Sequence, residues 1–352
     1  MTMRVDDGAG ERPLTVGVIG AGGNTRLQHI PKLQSIPGVE VVAVRNRSDD
    51  STRRVAEEFG IPQSASSWME LVDDPDIDAI VIGTWPDMHA RLAIAALRAG
   101  KHVLCEARLA RSVAEARAMV AAAQENPGLV AQVVPAPFTL PLDATVSRLI
   151  GEGYLGPVHA IEISERGGLA DATAPRTWRQ TTHISGVNVM SLGIGYESVM
   201  RWVGPATRVM AIGRTVIPQR TSSDGMLEIA DVPDHLDVIG EMASGAQLSI
   251  HLSHVSGFGP ENAIHVYGLD GTLKIADGVL WGARRGDDAL SRISIPPHEA
   301  IGWGVEEEFI GSIRGTEAVR RTTFEDGLRY MLFTEAVWRS IHENRAVALS
   351  EL

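Results

Sequence analysis

Apolar residues open the chain as a short run, Leu14 to Ile19 (LTVGVI), that stops at a glycine cluster and gives way to the helical pattern QHIPKLQSI. Strand, tight turn and helix is the arrangement this predicts. Further apolar runs at 39–44, 79–82, 102–105 and 129–134 alternate with helical patterns at about 50–59, 68–72, 87–99 and 112–124. That alternation predicts a parallel sheet with right-handed crossovers. After Pro135, Pro137 and Pro141 the pattern changes. One helix (about 142–151), a strand (159–164) and a helix (about 186–202) lead into runs at 207–216, 235–242, 246–255, 262–267 and 272–276, joined by Gly or Asp-Gly turns. These predict a largely antiparallel sheet. A final amphipathic helix is expected at about 325–343. The expected organisation is therefore a disordered tail (1–13), an N-terminal Rossmann domain (14–134) and a C-terminal α/β domain with a large, mainly antiparallel open sheet (135–352).

Composition narrows the classes of function. The 352 residues carry 32 Lys+Arg against 44 Asp+Glu, a net charge of −12. This acidic balance lacks the clustered cations that phosphate backbones require, so no nucleic-acid partner is expected and a small-molecule substrate is. No apolar run is long enough to span a bilayer, so no membrane partner is expected and the cytoplasm is the predicted location. The single cysteine, Cys105, reads as core. His251 and His254 fall on opposite faces of one strand, and no other ligand spacing is present, so no metal is predicted.

Gly20, Gly22 and Thr25 occupy the three positions of the Gly-x-Gly-x-x-Gly/Ala dinucleotide pattern, directly between a strand and a helix. The segment Gly20, Gly22, Gly23, Asn24 and Thr25 is the candidate diphosphate cradle, with backbone N–H groups and a helix N-terminus facing the anion. Thr25 departs from the pattern: either helix and strand pack further apart, or Gly23 shifts the turn by one residue. The second strand ends in Arg45, Asn46, Arg47 and Ser48 where an NAD site carries an acidic residue. A guanidinium pairs with a ribose 2′-phosphate that a carboxylate repels, so NADP is favoured, with NAD as the alternative. Ser48 or Ser51 could instead simply cap the next helix.

The stretch from Ile80 to Ala110, Trp178-Arg179, the segment GVNVMSLGIGYESVMRWVG (186–204), GLDGTLKI (268–275) and the closing FEDGLRYMLFTEAVWRSI together resemble the glucose-fructose oxidoreductase, inositol dehydrogenase and MocA family. The resemblance implies a nicotinamide cofactor, sugar, polyol or related substrates, and a homodimer or homotetramer. It also implies cofactor-side roles for Thr84, Trp85, His89 and Glu106, and a substrate-side loop at Trp178 and Arg179. The family's Glu-Lys-Pro stands here as Glu106-Ala107-Arg108, and its Asp-x-Gly-x-His as Ser191, Gly193 and Gly195. The usual lysine and histidine are thus replaced by Ala107 and Gly195, neither of which can move a proton. Arg108 is a poor proton acceptor and a good clamp for an anion.

Replacement chemistry is sought nearby. His183, in the polar loop RQTTHISG, is the main acid/base candidate, with Tyr196 second. Asn188 and Ser191, with Gly195 and Ser198, recur at helical spacing and are expected to share one small, polar face lining the substrate. The expected function is an NAD(P)-dependent oxidoreductase acting on a sugar-like, polyol or cyclic carbonyl or hydroxyl substrate with non-standard acid/base residues. A lyase, isomerase or hydrolase that recycles its bound nicotinamide, and a non-catalytic ligand-binding protein, are the alternatives.

Overall fold

Strand β1 (Leu14–Ile19) lies at the centre of a six-stranded parallel sheet, its last four residues buried. The computed structural model describes residues 12–222 and 224–352; most of the tail expected over 1–13 lies outside them. Beside β1 run β2 (Val39–Arg45), β3 (Gln63–Ser64), β4 (Ala79–Ile82), β5 (His102–Cys105) and β6 (Ala131–Val133), in the order β3-β2-β1-β4-β5-β6. Every pair is parallel. A sheet covered by helices on both faces selects continuous apolar strands, and all four residues of β4 are buried. The strand order reverses between β1 and β4, so a crevice opens beyond their carboxyl ends.

The second half forms a nine-stranded sheet from β7 (Val158–Arg166), β8 (Ala206–Arg214), β11 (His235–Met242), β12 (Gln247–Ser253), β13 (Ala263–Gly268), β14 (Gly271–Ala276), β15 (Val279–Arg284), β16 (Ser291–Arg292) and β17 (Val347–Ala348). Between β8 and β11 a separate ribbon pairs β9 (Gln219–Thr221) with β10 (Leu227–Ile229). The order is β16-β15-β14-β13-β7-β12-β11-β8-β17, and only the β7–β12 pairing is parallel. This is the predicted Rossmann half followed by a mainly antiparallel sheet. Alternation sorts the sheet's two faces. Ile161, Ile163, Leu236, Val238, Leu248 and Ile250 point inward and are buried. The outer face leaves Met210, Ile212 and Ile239 exposed.

Two departures bear on the site. The helix expected over 186–202 begins only at Leu192. Ahead of it, Gly186 has φ +63° and lies so close to the Arg111 carbonyl that a Cβ would fall 2.1 Å away. Met190 also has positive φ, 44°, which interrupts any helix. In addition, a helix at Val305–Ile313, absent from the sequence reading, carries Val305, Phe309 and Ile310 back onto the first core, against Val16, Val18, Ile30 and Leu33.

Candidate active site

The turn after β1 is shaped by its glycines. Gly20 has φ +87°, and a Cβ there would sit 2.6 Å from Thr84 N and Cγ2, so only glycine fits. Gly22 and Gly23 are exposed, and a Cβ at Gly23 would meet nothing within 4 Å. The helix begins at Gly23 and passes through a wide turn, Thr25–His29, before Ile30–Ser35. Asn46 steadies the turn, its Oδ1 accepting from Ala21 N at 2.6 Å while its Nδ2 donates to Ser51. Beyond lies a cleft of about 750 Å³ lined among others by Gly20, Gly22, Asn46, Arg47, Thr84, Trp85 and His183. The buried hydroxyl of Thr84 has no partner. Open glycine backbone at a helix start beside an unsatisfied hydroxyl fits a dinucleotide diphosphate. Among the described lining residues Asp87 is the one carboxylate, whereas Arg47 is exposed and Arg45 is held by Asp49. Ser48 is not in this lining: its hydroxyl accepts from Ser51 N and caps the following helix. Thr25 is buried against Gly83 and gives the cofactor no contact surface.

Behind the turn sits a buried charge network. Glu106 accepts from Asn24 Nδ2 at 2.5 Å, from His29 Nε2 at 3.0 Å and from its neighbour Ala107 N at 3.1 Å. His29, fully buried, holds Glu306 with its Nδ1 at 2.5 Å, and Trp303 Nε1 donates to the same Glu306. Burial opposes the charge on His29, but the two carboxylates override it and push its pKa up to about 9. Burial likewise pushes Glu106 upward, yet bonds from His29 and Asn24 hold it below the usual carboxylate range. His89 is also buried; its ring nitrogens lie 2.9 Å from the Arg108 carbonyl and 3.0 Å from the Thr84 carbonyl. Burial lowers its pKa. It ties two loops together and does not line the cleft, contrary to the expected cofactor-side role.

The opposite wall comes from the second half. Trp178 stacks on Trp85 with ring centroids 6.3 Å apart, and the Arg179 guanidinium lies 4.2 Å above Trp178. His183, in the short helix Thr182–Ser185, reaches the cleft and is exposed to solvent. Ser191 Oγ donates to Glu165 Oε2 at 2.6 Å, and His254 faces Glu165 from 3.6 Å. Glu165 stays below its ordinary pKa although burial raises it, because His254 and Ser191 bond to its charged form.

Three sequence expectations change here. The polar helix face does not form, because Asn188 and Ser191 precede the helix. Asn188 is instead buried, with Nδ2 donating to Ala110 O and Ser185 O, and Ser198 is bonded to Thr139. Tyr196 is core: fully buried, stacked on Phe333 at 3.7 Å, its oxygen accepting from Ala206 N. Burial drives its pKa up to about 12. On the outer face of the large sheet, His251 is bonded to Asp237 at 2.7 Å, with His235 beside them, a neighbourhood that strand parity within β12 alone does not reveal. His29, Glu306 and Glu165 are not among the residues the sequence singles out. For Glu165 a signal existed: it shares the inward parity of Ile161 and Ile163.

Comparison with known proteins gives a consistent picture. The model of an oxidoreductase family with an NAD-binding Rossmann fold (GFO/IDH/MocA) matches residues 14–133, and that of the GFO/IDH/MocA C-terminal domain matches residues 144–274. A levoglucosan dehydrogenase of Pseudarthrobacter phenanthrenivorans is 29% identical over 261 residues, 68% of this chain and 65% of its own length. A 1,5-anhydro-D-fructose reductase of Ensifer adhaerens is 43% identical over 109 residues, 31% of this chain and 32% of its own length. The matched segments thus span less than two thirds of either relative. A solved levoglucosan dehydrogenase in complex with NADH and levoglucosan superposes with a TM-score of 0.83 at 25% identity, covering 96% of this chain and 99% of that one.

Proposed function

The chain belongs to the GFO/IDH/MocA oxidoreductase family, and on that basis we propose that it exchanges hydride between a nicotinamide dinucleotide and a hydroxyl- or carbonyl-bearing carbon of a sugar-like, polyol or cyclic substrate. The observation that carries this reading is the glycine turn at Gly20, which leaves backbone exposed at Gly22 and Gly23 and opens into a cleft ending at Trp85 and His183. When bound, the nicotinamide supplies the hydride donor or acceptor. The Gly22 N–H is taken by the Gly20 carbonyl, so the N–H groups at the helix start from Gly23 onward would hold the diphosphate. Arg47, with Ser51, Ser66 and Ser67 on the same cleft, would hold a 2′-phosphate, which favours NADP over NAD. The stacked Trp85 and Trp178 offer an apolar surface at the cleft for the substrate to pack on. Ala107 and Gly195 handle no proton, so His183 takes the hydroxyl proton in oxidation and returns it in reduction. Ser191, held by Glu165, orients a substrate hydroxyl.

The proposed units are residues 14–134 for the dinucleotide and 135–352 for substrate and assembly, with the helix Val305–Ile313 of the second packing back onto the core of the first. Exposed Met210, Ile212 and Ile239 on the outer sheet face support a homodimer or homotetramer, and the cytoplasm is the proposed location. No described helix is long and apolar enough to cross a membrane. Absorbance assays with NADP and NAD against anhydrosugars, inositols and aldoses, and in reverse with keto sugars, test the function. Turnover with at least one substrate class, faster with NADP, is expected. Firm cofactor binding without turnover on any of them would contradict it.

A further inference from the structure

We propose that the buried guanidinium of Arg108, with Arg179 as its cationic neighbour, binds a carboxylate borne by the substrate. Calling the ligand a substrate rests on the oxidoreductase reading above; the anion site itself does not.

Arg108 is 3% exposed, and its Nε and Nη2 are buried with no hydrogen-bond partner. Among the described residues no carboxylate pairs with it. A buried guanidinium without an acceptor is strongly unfavourable, so its retention calls for a ligand that supplies the missing oxygens. The side chain is seated rather than loose. Its Cδ runs so close to Gly193 that a Cβ there would lie 3.4 Å away. The next residue's N–H donates to the buried Tyr330 hydroxyl at 2.6 Å, and His89 sits 2.9 Å from the Arg108 carbonyl. Gly193 is therefore matched to Arg108: one gives up a side chain where the other passes.

The charge of the surroundings selects the ligand. Burial, reinforced by the like charge of Arg179, pulls Arg108 down to about 10, which leaves it cationic at neutral pH. Glu106 is within electrostatic range of Arg179, but its oxygens are already engaged by Asn24 and His29. Arg108 therefore has a cation, Arg179, as its charged neighbour and no carboxylate bonded to it among the described residues. A monoanion pairs with the guanidinium, whereas a phosphate dianion brings a second negative charge into the neighbourhood of Glu106. A carboxylate also matches the planar fork of a guanidinium.

The test uses the full chain saturated with NADPH and measures binding by calorimetry and thermal shift. The probes are D-glucuronate and D-gluconate, their neutral counterparts D-glucuronamide and D-glucitol, and D-glucose 6-phosphate. The carboxylates are expected to bind at least about tenfold tighter than the neutral partners, the scale of one charge-assisted pair. R108M should erase that preference and raise the melting temperature of the unliganded protein, because the unpaired charge is gone. R108K should keep part of the preference, and R179Q should weaken it. Equal binding of acid and amide, a preference retained in R108M, or tightest binding by the phosphate would each overturn the proposal. A carboxylate preference lost in R108M in a protein that binds no NADPH would instead keep the anion site and remove the oxidoreductase reading.

Discussion

Thr25 and Gly83 compete for one volume. A Cβ on Gly83 would fall 2.0 Å from Thr25 Oγ1 and 2.2 Å from the Gly20 carbonyl oxygen. In a dinucleotide-binding turn the third glycine of the pattern lets helix and strand pack closely. Here the helix carries the larger residue, and the missing side chain lies at the exit of β4. The steric condition has moved across the contact instead of disappearing.

G83A should therefore push the cofactor helix off β4. We expect a loss of about 1–3 kcal/mol in stability, the usual range for overpacking, and weaker NADPH binding. The double variant T25G/G83A should recover only part of this, because the Gly20 carbonyl still blocks the new methyl. Chemical denaturation and cofactor titration of the single and double variants check both statements; a G83A protein indistinguishable from the parent would contradict them.

His29 makes stability depend on pH with a definite sign. Its pKa rises from 6.5 to about 9 on folding, in spite of burial, because Glu106 and Glu306 favour the imidazolium. A raised pKa means that the stabilisation is complete below the unfolded value near 6.5 and is lost as pH climbs towards 9. The melting temperature should fall across that window in the parent and fall less in H29Q, which should also be less stable at pH 6.5. Parallel melting curves for the two proteins between pH 6 and 9 would count against the buried imidazolium.

His183 and Tyr196 are separated by a kinetic experiment. H183N should lower kcat by about 10²–10⁴, the range for a lost general acid/base, without a loss of folding. Y196F should leave kcat within about twofold but destabilise the protein by about 1–3 kcal/mol, because the Ala206 N–H loses its buried acceptor. The reverse pattern would reassign the proton to Tyr196.

The parts of this molecule that repeat a period are the parts legible in its sequence. The parallel half, the glycine turn and the mainly antiparallel second sheet all follow from periodicity and turn chemistry. The helix expected over 186–202 starts only at Leu192, because helical spacing from 188 to 198 says nothing about Gly186, which packs against the distant Arg111 carbonyl. Tyr196 and Asn188 look like site residues by composition, but long-range packing on Phe333 and Ala110 claims them. His29 and Glu306 are 277 residues apart, and no local pattern joins them. Ala107 and Gly195 are recognisable as departures, yet the bond from Ser191 to the inward Glu165 and the unpaired guanidinium of Arg108 emerge only from the assembled chain.

The central claim is that the Gly20 turn holds a nicotinamide dinucleotide, with Arg47 at its adenosine end. Fluorescence titration of the full chain with NADPH and NADH, repeated with R47D, tests it most directly. The account predicts saturable binding of one dinucleotide per chain, tighter for NADPH, with R47D reversing the preference by about tenfold or more through loss of a charge-assisted pair. Absence of binding by either reduced nucleotide would contradict it.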